Sequence, residues 1–173
     1  MNTIATPVKT LPRPAFSLEE VRSFIEHESD LLDGQDYDAW LALYAEDSAY
    51  WVPARHGQQS WLDHVSLYYD DRQTMKTRVA RLNHPMIHCQ EPESRCVRLV
   101  SNFRIEQQDV QAGTCVVRSK FVMMEDRMGA PRRLFGGRYA HTLRREESGM
   151  RIVLKRVDVT NCEQSFPMLT QPF

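Results

Sequence analysis

The chain lacks the features that mark several protein classes. Its 22 Lys and Arg stand against 23 Asp and Glu, leaving a formal charge of −1 over 173 residues. Domains that grip nucleic acid or anionic membranes need a basic surplus or stripe, so neither partner is expected. No stretch approaches the roughly 20 consecutive apolar residues that a bilayer span requires, and the opening MNTIATPVKTLPRP has no apolar core of signal-peptide length. A cytoplasmic protein is expected. Glycine is scarce, with seven in all. None forms a phosphate-cradling loop, because Gly136-Gly137 sits inside a strand pattern and opens no helix. A G-x-S-x-G elbow that would present a nucleophilic serine is also missing.

What is present reads as one α+β domain. Hydrophobic residues make up 42% of the chain, enough for a real core at this length. Residues 1–16, with Pro7, Pro12 and Pro14 and little periodicity, read as an extended arm, and 17–173 as a single domain. Ser17 with Glu20 forms a capping box, and Leu18, Val21, Ile25 and Leu32 trace one helical face up to Gly34. In DYDAWLALYAEDSAYWVP, Asp36 can cap a second helix carrying Trp40, Leu41, Leu43 and Tyr44, and an acidic turn leads to a strand over 49–52. Residues 65–69 suit a short strand. Asp70 with Gln73 can then cap a third helix, whose face is Met75, Val79 and Leu82.

From Arg95 the period changes from helical to two. Val97, Leu99, Ser101, Phe103 and Ile105 fall on one face of a long strand, and Cys115, Val117, Ser119, Phe121 and Met123 on one face of the next. Two further strands, 133–145 and 150–161, complete an antiparallel meander, with Gly136-Gly137 suggesting a bulge or bend. Helices first and a long sheet second imply helices covering one concave face. The opposite face mixes Arg98, Arg104, Arg118, Arg138 and Arg156 with Val100, Val116, Val122 and Met124. Solvated faces favour Thr, Lys and Glu, whereas Arg and Met among apolar residues favour contact, so this face is read as covered by another subunit.

Chemistry-bearing residues are few and scattered. His84 and His88 have helical metal-ligand spacing, but Pro85 between them breaks a helix and no third ligand follows. Cys89, Cys96, Cys115 and Cys162 form no C-x-x-C pair, and no C-x-H or C-x-x-H pair of the kind that holds a Rieske cluster. They read as buried free thiols, and no metal or cofactor site is expected in this chain. Tyr44, Asp47, Tyr50, His64, Tyr68 and His141 could supply a base and polarising donors in a pocket between helices and sheet. Each also has a plainer role as core, turn or loop residue.

The segments EHESDLLDGQDYDAWLALYAEDSAYWVPA, LYYDDRQTMKTRVARL, EPESRCVRLVSNFRI, LFGGRYAHTLRRE and IVLKRVDVTN, in that order, resemble the small (beta) subunit of Rieske non-haem iron aromatic-ring-hydroxylating dioxygenases. The resemblance implies a cone-like fold of the NTF2 and ketosteroid-isomerase type. It implies an α3β3 hexamer in which a beta trimer holds together three large (alpha) subunits. Those carry the Rieske 2Fe-2S cluster and the mononuclear Fe(II), and receive NAD(P)H-derived electrons through a ferredoxin or reductase. Trp51 and the arginine-bearing face then belong to subunit contacts, and this chain holds no catalytic residue. Two other functions fit the same fold: a free-standing lyase or isomerase with Asp47 or a histidine as base, and a carrier of a small apolar ligand.

Overall fold

Ser17 starts the first helix as its side chain allows. In the computed structural model, which describes residues 14–85 and 90–173, the Ser17 hydroxyl accepts the Glu20 N–H at 3.2 Å and α1 spans Leu18–Asp33. Val21, Ile25 and Leu32 turn into the core. Asp36 caps α2 (Tyr37–Ala42) through the Ala39 N–H at 3.1 Å. This helix is shorter than the stripe to Tyr44 predicts, because the sheet captures the chain early: the Ile152 N–H bonds the Leu43 carbonyl at 2.9 Å. Strand β1 (Tyr44–Pro53) therefore begins at once, and the expected acidic turn is a bulge within it. Its pairing with the last strand jumps from Tyr44 opposite Ile152 to Ala49 opposite Leu154.

Strand β2 (Ser66–Asp71) leads directly into α3 (Arg72–Leu82). The cap is Asp71, which accepts the Thr74 N–H at 2.7 Å, rather than Asp70. Strand alternation turns Asp70 inward, where it takes a forked pair of bonds from Arg78 at 2.5 and 3.0 Å. The meander follows as β3 (Ser94–Asp109), β4 (Thr114–Arg127), β5 (Arg133–Glu146) and β6 (Gly149–Val159). One six-stranded sheet results, ordered β2-β1-β6-β5-β4-β3, antiparallel except where β1 lies parallel to β6. Helix α1 packs on β3 and α3 on β1, so the helices and sheet enclose an interior.

Gly136-Gly137 makes no bulge against β4, whose pairing with β5 runs unbroken from Thr114–Arg144 to Glu125–Arg133. Gly137 answers a different need. A Cβ there would lie 2.1 Å from the Asp158 carbonyl oxygen and 3.0 Å from the Phe121 ring, which stacks on Tyr139 at 4.2 Å. The irregularity in β5 falls between Thr142 and Leu143 instead.

In β3 the faces are partly reversed from expectation. Cys96 and Arg98 are buried while Val97 and Leu99 are exposed, and Phe103 and Ile105 turn inward again. Asn102 causes the switch: at φ 56° it sits in a break of the pairing register between Ser101 and Arg104, so alternation changes phase there. Past β6 the chain has no regular structure, yet Gln171, Pro172 and Phe173 are buried. The described cysteines, Cys96, Cys115 and Cys162, are free and buried, and Cys89 lies outside the described residues, as does most of the arm expected over 1–16. Among the described residues no helix is long and apolar enough to cross a membrane.

Candidate functional site

The interior holds an ionic cluster that joins helix to sheet. Glu28, on the buried stripe of α1, accepts from Trp40 Nε1 at 3.0 Å, Tyr44 OH at 3.2 Å and Lys155 Nζ at 2.9 Å through one carboxylate oxygen. Its other oxygen meets His141 Nε2 at 3.0 Å. Lys155 Nζ also donates to the Phe173 carbonyl at 2.9 Å and lies 4.6 Å over the Tyr139 ring. Glu28 and His141 are fully buried and Lys155 is 1% exposed, so solvent does not reach these groups.

Burial alone would raise the Glu28 pKa, but the Lys155 ammonium and the His141 bond outweigh it and hold the carboxyl well below its usual range. Burial presses the His141 pKa below its ordinary value against the pull of Glu28, leaving a neutral ring at pH 7. Burial likewise lowers Lys155, opposed by Glu28. The Glu28 carboxylate is thus paired directly with the Lys155 ammonium at 2.9 Å and flanked by the neutral groups of Trp40, Tyr44 and His141. Tyr139 OH, His141 Nδ1 and Ser119 Oγ are buried there with no hydrogen-bond partner among the described residues.

Of the six candidate acid–base residues, Tyr44, Tyr50, Tyr68 and His141 converge on this interior and Asp47 and His64 do not. Asp47 is exposed in the β1 bulge and held by Arg144 at 2.7 and 2.9 Å, which lowers its pKa. His64 lies in the exposed loop before β2. Neither can act as a base in the cone. Glu28 and Lys155 escaped sequence reading, although each carried a signal: Glu28 falls on the helical spacing Val21, Ile25, Leu32, and Lys155 on the strand face of Val157 and Val159. A charge in an apolar stripe needs a buried partner.

The opposite sheet face is open and divides into two zones. Val97, Leu99, Val122 and Leu134 are 46–71% exposed, and cross-strand pairing puts Leu99 beside Val122 and Val97 beside Met124. Adjacent to them Arg104, Arg118, Lys120 and Arg138 line a groove of about 680 Å³. Glu106 pairs with Arg118 at 2.7 Å and more loosely with Arg104, while Lys120 and Arg138 have no carboxylate partner among the described residues. Arg156 lies 4.5 Å over Trp51 and bonds Asp158. Trp51 is on this face yet covered, packed edge-on against Trp61, which stacks on Tyr69 at 5.0 Å.

Arg98 does not belong to this face. Its side chain is fully buried on the inner side, bonded to Asp33 and to the Pro172 carbonyl. The phase change at Asn102 is what separates it from Arg104. Among the described residues no group of three or more His, Cys, Asp or Glu could hold a metal ion; His88 and Cys89 lie outside them.

A family model for the ring-hydroxylating beta subunit matches residues 27–164. The chain belongs to the ring-hydroxylating beta subunit family. A relative in Pseudomonas putida, the small oxygenase component of a p-cumate 2,3-dioxygenase system, is 36% identical over 139 residues, which cover 79% of this chain and 76% of that protein. The beta subunit of benzoate 1,2-dioxygenase from Burkholderia mallei superposes with a TM-score of 0.72 at 27% identity, covering 86% and 93% of the two chains. An NTF2-like protein from Novosphingobium aromaticivorans shares the fold alone, with a TM-score of 0.55 at 20% identity over 83% and 81% of the chains. This beta subunit is accordingly a cone-like NTF2-type α+β domain and a small subunit of a multicomponent oxidoreductase.

Proposed function

We propose that this beta subunit is the non-catalytic assembly subunit of an aromatic-ring dioxygenase, forming a beta trimer within an α3β3 hexamer. The large subunits carry the Rieske 2Fe-2S cluster and the mononuclear Fe(II) and take electrons from NAD(P)H through a ferredoxin or reductase. They place both atoms of O2 on an aromatic ring, of the class that includes the p-cumate and benzoate of the relatives' names. The metal chemistry is assigned to the large subunit because the donor set does not fit here: the described cysteines are buried singly and His141 is committed to Glu28.

The open sheet face carries the proposal. An apolar zone beside a basic groove that Glu106 neutralises only in part resembles an interface core with a charged rim, and its contact residues are Arg104, Arg118, Arg138 and Arg156, with Trp51 as a supporting residue beneath. Replacing Arg118 and Arg138 with Glu tests it. The domain should stay folded while complex recovery and ring-hydroxylating activity fall together, because reversed charge across an interface costs several kcal/mol (roughly 2–5). Unchanged complex mass and activity in the double variant would remove this face from the contact. Arg98→Glu serves as contrast: it should unfold the domain itself, since it puts a second carboxylate beside Asp33 in a buried site.

A further inference from the structure

Phe173 sits in the cone as a bound molecule would. Its ring is 1% exposed and packs edge-on against Phe135 at 5.1 Å, with Tyr68 and Phe121 at 6.3 and 6.4 Å. Its N–H donates to Tyr50 OH at 2.9 Å and its carbonyl oxygen accepts from Lys155 at 2.9 Å. The segment carrying it has no helix or strand of its own. The neighbouring Gln171 and Pro172 are tied down by Tyr37, Gln90 and Arg98.

These contacts have the parts of a small-molecule site. An aromatic slot ends in a buried ammonium held in place by Glu28, and Lys155 is both almost fully buried and within hydrogen-bond distance of the occupant. Tyr139 OH and His141 Nδ1 remain unpartnered in the same interior, an uncommon expense in a core that serves packing alone. Apolar walls with a few converging polar groups are the usual composition of a ligand pocket.

We propose that the cone of this subunit is a latent binding site for a single aromatic ring bearing a carbonyl or carboxylate oxygen on a two-carbon arm, filled in the intact chain by Phe173 as its intramolecular occupant. The ring of such a ligand takes the place of the Phe173 ring, and its oxygen takes the bond from Lys155. The site is separate from the open sheet face, so it stands whether or not that face is a subunit contact.

The test compares the full chain with a chain ending at Thr170, using 3-phenylpropanamide and propylbenzene as probes in calorimetry and thermal melts. The amide should bind the shortened chain and raise its Tm, leave the full chain unaffected, and bind about tenfold or more tighter than propylbenzene, which has the ring but no acceptor for Lys155. A folded shortened chain that binds neither probe overturns the proposal. Equal binding of both probes overturns the assignment of the oxygen to Lys155. If the shortened chain does not fold, Phe173→Ala in the full chain replaces it: toluene should restore much of the lost Tm, as aromatic molecules do in dry engineered cavities, and no rescue at saturation overturns the site.

Discussion

Replacing Lys155 with Met keeps the length of the side chain and removes its charge. Glu28 would then keep its donors from Trp40, Tyr44 and His141 but lose its cationic partner in a site closed to water. Breaking a buried ion pair from one side costs about 3–5 kcal/mol. At about 2–4 °C per kcal/mol for a domain of this size, Tm should fall by roughly 6–20 °C. Urea unfolding of the purified subunit, followed by the fluorescence of its tryptophans, measures the same loss as a lower midpoint. Adding Glu28→Gln to Lys155→Met should recover part of the loss, since a neutral amide still accepts from Trp40 and Tyr44 without an uncompensated charge. A Lys155→Met variant within about 1 kcal/mol of the parent, or a double variant no better than the single one, would refute the ionic account of the core.

The pH profile carries a second expectation. His141 has its pKa depressed from an ordinary 6.5, so the unfolded chain binds that proton more readily than the folded one. Its contribution to stability is full above pH 6.5 and is lost as pH falls below that value, and Glu28 adds loss in the same direction below 4.5. Chemical denaturation at stepped pH should show the decline, and His141→Gln should flatten its upper part. Gly137→Ala should destabilise by about 2 kcal/mol or more, because the added methyl meets the Asp158 backbone at 2.1 Å; a melt within error of the parent would mean β5 and β6 can separate freely there.

Local chemistry was the most legible part of this sequence. Ser17 and Asp36 cap the helices as their side chains predict, and the period-two run from Arg95 forms the antiparallel meander, because both follow from neighbours a few residues away. The face of Arg98 was not legible, since one residue of positive φ at Asn102 shifts the phase and Phe103 and Ile105 point the extrapolation the wrong way. The β1 bulge was hidden for a similar reason: Glu46-Asp47 has turn composition, and only pairing to β6 reveals a strand. The heart of the interior needed contacts across 113 to 127 residues, His141 and Lys155 to Glu28, which no local window contains. Glu28 and Lys155 were visible as charges in apolar stripes, but their partnership was not.

Assembly with a large subunit is tested most directly by native mass spectrometry of the complex recovered through a tag on this chain. A mass equal to three copies of this chain plus three of a larger iron-containing subunit is the predicted result. A stable homo-oligomer of this chain alone, recovered in high yield from cells that also produce a ring-hydroxylating large subunit, would contradict it.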